Sequence, residues 1–208
     1  MWSRMMVAST MLVLMNACGS APPLSTTQDR STQVAKQAAG SGSSIQRLRL
    51  QAERGNVEAQ FALAQAYDRG RDVPKNKTEA VRWYRLAASQ GDAFAQNALG
   101  DNYWEGTAVP KDDKEAARWW RLAAAQGFAP AQHSLGKMLS GGGHGVPTDK
   151  IQAYMWLALS AAQGDEEAGR QGNLLSKQLK PAEMTAAKKL VKQWKPTRAS
   201  VTANKIAQ

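Results

Sequence analysis

The string Gly-x-x-x-Ala-Gln begins at Gly55, Gly91 and Gly127, and a degenerate copy begins at Gly164, at intervals of 36, 36 and 37 residues. A period of this length points to stacked supersecondary units, because no one unit can cover its own apolar faces. Segments 55–90 and 91–126 are identical at 19 of 36 aligned positions, so the recurrence is positional and not only compositional. Its frame is Ala59/Ala95/Ala131, Leu63/Leu99/Leu135 and Tyr67/Tyr103/Leu139, then Val-Pro at 73–74, 109–110 and 146–147. Ala80/Ala116/Ala153, Trp83/Trp119/Trp156, Ala88/Ala124/Ala161 and Gln90/Gln126/Gln163 complete it.

Each unit carries two apolar stripes at helical period. Ala59, Ala62, Leu63 and Tyr67 form the first, and Ala80, Trp83, Ala87 and Ala88 the second. Asn76, Asp112 and Asp149 stand where an N-cap belongs, three residues before Glu79, Glu115 and Gln152, which predicts a capping box in every unit. The glycine opening the next unit falls where a helix ends in a left-handed residue. Gly70, Gly106 and the Gly141–Gly143 run separate the two helices. The fold class expected is all-α: a solenoid of antiparallel helix pairs, with alanines allowing close approach and the Trp and Leu columns filling the gaps.

At these positions the chain resembles the Sel1-like repeat family, relatives of the tetratricopeptide repeats. Ala-Gln-x-x-Leu-Gly at 95–100 and 131–136, Val-Pro, and Trp-x-x-x-Ala-Ala recur in register. The likeness runs over 44–194, as units 55–90, 91–126 and 127–163 with a cap at 164–194. Ile45–Arg54 reads as a leading second helix, and the segment after Pro181 as a last amphipathic helix with Met184, Ala187, Val191 and Trp194. Some family members carry two cysteines per repeat; this chain carries none there. The resemblance implies a non-enzymatic scaffold or assembly factor, in polysaccharide export or wall remodelling.

The N-terminal segment carries an address. Arg4 precedes the apolar run Met5–Leu14, ten residues against the roughly 20 needed to span a bilayer, so residues 1–17 read as an export signal. Leu14-Met15-Asn16-Ala17-Cys18-Gly19 resembles a bacterial lipobox, with Cys18 as the lipid attachment residue; Met15 and Asn16 depart from it, and the alternative is simple cleavage after Ala21. Gly19 after the cysteine suits outer-membrane sorting. Residues 18–43 are rich in Ser, Thr, Gly, Pro and Gln and read as a tether. The localisation expected is an outer-membrane lipid anchor facing the periplasm, with a soluble periplasmic or secreted protein as the alternative.

Composition argues against most catalysis. One cysteine and two histidines (His133 and His144) leave little for a metal centre or a histidine-dependent triad, and no cofactor is expected. The glycines around His144 lack the Lys-Ser/Thr of a phosphate-binding loop. Acidic residues such as Asp112, Asp113, Asp165, Glu166 and Glu167 fall at helix starts, where the helix dipole accounts for them. First helices of helical solenoids line the concave face, and the positions beside their core stripe vary from unit to unit. Phe61, Gln65, Phe94, Asn97, Asp101, Trp104, His133 and Lys137 are therefore the candidate partner contacts, with Trp104 foremost.

The net charge is +10, of which +5 lies from Pro181 onward, while 91–126 carries −2. The basic segment 195–208 reads as a flexible tail suited to anionic glycan or lipid rather than to nucleic acid. The expectation is an envelope protein that holds protein partners. Direct binding of polysaccharide or peptidoglycan is the alternative, and a wall-modifying hydrolase a more distant one.

Overall fold

The computed structural model describes residues 44–197, which lie within one compact unit of the chain. The signal segment, Cys18 and the tether, and residues 198–208, lie outside the described residues. The helices are α1 (residues 44–53), α2 (Val57–Arg69), α3 (Lys77–Ser89), α4 (Ala93–Glu105), α5 (Asp113–Ala125), α6 (Ala129–Gly141), α7 (Lys150–Ala161), α8 (Glu166–Ser176) and α9 (Pro181–Gln193). Neighbours in sequence pack in pairs, α2 on α3, α4 on α5 and α6 on α7, and each second helix then meets the first helix of the next unit. That is the expected all-α solenoid. Among the described residues, no helix is long and apolar enough to cross a membrane.

The recurrent residues build the interior. Leu63, Leu99 and Leu135 are fully buried, and the Trp83, Trp119 and Trp156 column is buried with them. Each second helix ends in a Schellman turn. The Gly91 N–H donates to Ala88 O and the Asp92 N–H to Ala87 O, with Gly91 at φ 96°. Gly127 and Gly164 repeat the geometry at φ 94° and 96°, as the unit-opening glycine requires.

The capping boxes predicted for α3, α5 and α7 form by half. The Asn76, Asp112 and Asp149 side chains accept from the N–H groups of Glu79, Glu115 and Gln152. The return bond is absent because each cap N–H already donates to the first helix of its unit, at Tyr67 O, Tyr103 O and Leu139 O. Glu79 and Glu115 pair with Arg82 and Arg118 instead. At α9, where the sequence suggested no box, the Glu183 carboxylate accepts from the Lys180 N–H.

The Gln of each Ala-Gln pair does the joining between units. Gln60, Gln96 and Gln132 are buried, and their amide N–H groups donate to Ala52 O, Ala88 O and Ala124 O of the preceding second helix. Their carbonyl oxygens accept from Gln90, Gln126 and Gln163, the last residue of each unit. Ala52 belongs to α1, so the leading half-unit docks by the same bond as the full ones.

Side-chain volume is matched across the interior. Gly100 faces Trp120 so closely that an added Cβ would lie 2.4 Å from the indole, whereas the equivalent Ala64 belongs to a unit with the smaller Tyr84. Gly100→Ala is therefore expected to destabilise by about 1–3 kcal/mol through overpacking, although Gly→Ala within a helix ordinarily stabilises by about 0.5–1 kcal/mol. Gly169→Ala in α8, whose Cβ would meet Ala161 at a comfortable 3.7 Å, should show the ordinary sign. Denaturant midpoints of the two variants check the contrast. Removing the buried column residue Trp119 with alanine should cost about 3–5 kcal/mol, read from the same transitions.

Candidate functional site

The first helices α2, α4 and α6 share one face of the array, and the candidate residues on it divide into separate groups. Phe61 and Phe94 belong to a file of aromatic rings that crosses three units. Phe61 lies 5.6 Å from Phe94, and Phe94 lies 4.7 Å edge-on from Phe128. Phe61 also leans on buried Tyr84, at 5.8 Å. Phe94, in the middle, is 56% exposed. Phe128 escaped the sequence reading because it sits at the N-cap of α6, where its backbone is extended and its side chain makes no capping bond.

Asn97, Asp101, Trp104 and Lys137 make up the second group. Asp101, Trp104 and Lys137 line a cleft of about 420 Å³ together with Trp120, Ser134, Met138, Ser140, Gly141 and Gly142. The Trp120 indole N–H donates to Asp101 Oδ1 at 3.0 Å, and the Asn97 amide donates to Oδ2 at 2.9 Å. Trp104, 37% exposed, stands 6.0 Å from Trp120 at 49° and carries the Lys111 ammonium 4.5 Å over its ring. Burial pushes the Asp101 carboxyl up to about 6; the hydrogen bonds from Trp120 and Asn97 oppose that shift, and the nearby Glu105 charge adds to it.

Two candidates lie elsewhere. Gln65 lines a smaller cleft between α1 and α2 with Ile45, Leu48 and Arg69. His133 is engaged within the fold, its Nδ1 lying 2.8 Å from Asp165 Oδ2. Asp165 caps α8 through the Ala168 N–H and accepts the Ser160 hydroxyl. Burial works to raise the Asp165 carboxyl, but those two donors and His133 outweigh it and hold it below its usual range. This Ser-Asp-His grouping fixes a helix start. The Ser160 hydroxyl is turned to Asp165 and to Ala129 O, and the His133 ring meets the shared carboxylate rather than the hydroxyl.

Asp113 stands in the first turn of α5, as expected, and has a second role there. It is 4% exposed, and its Oδ2 accepts the His144 N–H at 2.7 Å. The glycine-rich loop of unit three is thereby tied to α5 of unit two, with Gly143 bridged to Val146. A side chain at Gly143 would meet the Asp113 carboxylate at 2.9 Å, which accounts for a glycine there. Among the described residues, no group of three or more His, Cys, Asp or Glu side chains could hold a metal ion.

Fold and site together define a helical repeat protein with a variable face on its first helices. The Sel1 repeat family matches residues 57–92, 93–128 and 129–165, the same units displaced by two residues, and the chain belongs to that family. Solved relatives agree. A Sel1 repeat protein from Oxalobacter formigenes is 38% identical, with a TM-score of 0.58 over 62% of this chain and 97% of its own. The c5321 protein, a protective antigen present in uropathogenic Escherichia coli strains and displaying an SLR fold, is 29% identical, with a TM-score of 0.55. That match spans 78% of this chain and 42% of the c5321 chain. No curated protein matches significantly.

The raised Asp101 carboxyl has a consequence for stability. The folded state holds this proton more tightly than the unfolded chain, whose Asp titrates near 4. Its contribution to stability is therefore complete below about pH 4 and is lost as pH rises through about 6. A carbon-detected titration should place the Asp101 midpoint near 6. Trp120→Phe, which removes the opposing indole bond, should move the midpoint higher.

Proposed function

We propose that this chain is a non-enzymatic scaffold of the bacterial envelope, anchored by lipid at Cys18 and holding a protein partner on its first-helix face. The observation that carries the reading is the Phe61–Phe94–Phe128 file. Phe94 leaves more than half of its surface in water, at a position occupied by Glu58 in the preceding unit and Pro130 in the following one. The repeat frame does not ask for an aromatic there, and a ring held between two others is pre-ordered for contact, which lowers the entropic cost of binding. Family membership supports the same reading, since such repeat arrays serve generally as protein-binding surfaces.

The anchor rests on the chain's single cysteine standing directly after Ala17 at the end of an apolar run. Acyl chains there would contribute about 0.8 kcal/mol per buried CH₂, and more than one chain gives stable attachment. A tether of 25 residues after Cys18 would let the array work on the order of 25–30 Å from the surface.

A photo-crosslinking residue in place of Phe94 should capture one discrete protein in intact cells, while the same residue in place of Arg82, on a second helix, should not. Equal, diffuse labelling at both positions would count against the scaffold. Cys18→Ala should shift the protein from the membrane to the soluble fraction and abolish uptake of labelled fatty acid; membrane retention without label would remove the anchor from the proposal.

A further inference from the structure

We infer that the Asp101 cleft receives a basic side chain, a lysine or arginine, from the polypeptide held on the first-helix face. The inference rests on the protein-binding reading above and names the chemistry of one contact within it.

The cleft has acceptors to spare. Asp101 takes only two neutral donors, the Trp120 indole and the Asn97 amide. The Asn97 amide oxygen also has no hydrogen-bond partner, but it is buried and Asn97 lies behind the residues that line the cleft. Among the described residues, no lysine, arginine or histidine nitrogen lies within 4.0 Å of the Asp101 carboxylate. A carboxylate partly withdrawn from water and left without a counter-charge is costly. The group that meets both needs is one with several N–H donors, no acceptor and a positive charge. Guanidinium offers five such donors and ammonium three.

The walls suit the same occupant. Trp104 and Trp120 form an aromatic corner, and Met138 lines the cleft beside them. Cations favour the faces of such rings, and Trp104 already holds one, the Lys111 ammonium at 4.5 Å. That cation is itself drawn towards Asp113, 3.8 Å away, and so leaves Asp101 uncompensated. Lys137 lines the cleft but is exposed and makes no ion pair with Asp101.

The test uses the full chain with three probes: Nα-acetyl-arginine methylamide, its neutral isostere Nα-acetyl-citrulline methylamide, and an N-acetylglucosamine trimer. Binding is followed at the Trp120 indole N–H and the Asp101 carboxyl carbon by NMR. The arginine probe should shift both signals saturably, with at least tenfold higher affinity than the citrulline probe, and Asp101→Asn should lower its affinity at least tenfold. Equal affinity for arginine and citrulline on the unmodified protein overturns the inference without depending on any variant's fold. Preferential binding of the glucosamine trimer overturns it in favour of a glycan. The two readings fail separately: an intact Phe94 crosslink beside a cleft indifferent to charge sinks only the basic-side-chain contact.

Discussion

The amides of Gln60, Gln96 and Gln132 set the geometry of the three joints from α1 to α6. Each is buried at the seam between units, and each is satisfied on both sides, donating back to the preceding second helix and accepting from the end of its own. An unsatisfied buried amide costs about 1–3 kcal/mol, so a helix that slid by one residue would lose more than packing. Apolar columns alone tolerate such slippage, since neighbouring alanines present nearly the same surface. The relay therefore supplies register, and the Leu and Trp columns supply most of the cohesion. A second tie works at the outer edge: Arg85 donates to the Tyr103 hydroxyl, and Arg49 makes the same bond to Tyr67. Unit three has Leu139 in place of that tyrosine, and its joint is instead held by the Asp113–His144 bond.

With register secured at the seam, the positions beside each core stripe are released from structural duty. Phe94 can be an exposed ring where Glu58 stands one unit earlier, and Trp104 can stand where Asp68 does. This separation makes one fold a carrier for different surfaces: three joints repeat the same glutamine bonds, and positions such as Phe94 and Trp104 vary because those bonds do not involve them. The acceptor-rich cleft at Asp101 belongs to that variable set, though Trp120, which helps to form it, sits within the recurrent second helix.

The fold was legible because its signals repeat. Helix pairs, the left-handed unit-opening glycines, the half-unit before Gly55 and the helix after Pro181 could all be read from period and spacing. The candidate site was legible only in part. Asp101, Trp104 and Lys137 were found because they vary against the frame, but Trp120 was not, since an aromatic at that position looks like another core residue beside Tyr84. The available signal was Gly100, a glycine inside a helix where the previous unit has Ala64, which marks a neighbour too large for a methyl group. His133 was misleading for the opposite reason. Its partner Asp165 lies 32 residues away, and only the stacking of α8 on the array brings the two together. The grouping of 195–197 with the tail was also a matter of composition. Thr197 donates its N–H to Ala125 O, and Trp194 packs 6.4 Å from Trp156, so the chain returns to the array after α9.

The departures from the repeat concentrate at the joint between units two and three, and the cleft lies there. Unit three carries the extra residue, the glycine-rich loop and the missing tyrosine; α6 nevertheless ends at Gly141, the position of Arg69 and Glu105 in the other units, and Gly142 at φ 77° closes it as Gly70 and Gly106 close α2 and α4. Gly141 and Gly142 line the cleft beside Trp104, and the extra residue follows them, between Gly142 and Val146. The buried Asp113 carboxylate holds the loop in place from the far side. A loop positioned by a buried charge, next to a second carboxylate without a counter-charge, is a costly arrangement for a joint whose only task is to stack. Units one and two join without any of it, through Gln96, Leu99 and the Arg85–Tyr103 bond. The basic side chain inferred for the cleft would offset the part of that cost that Asp101 carries, which stacking of the units does not repay.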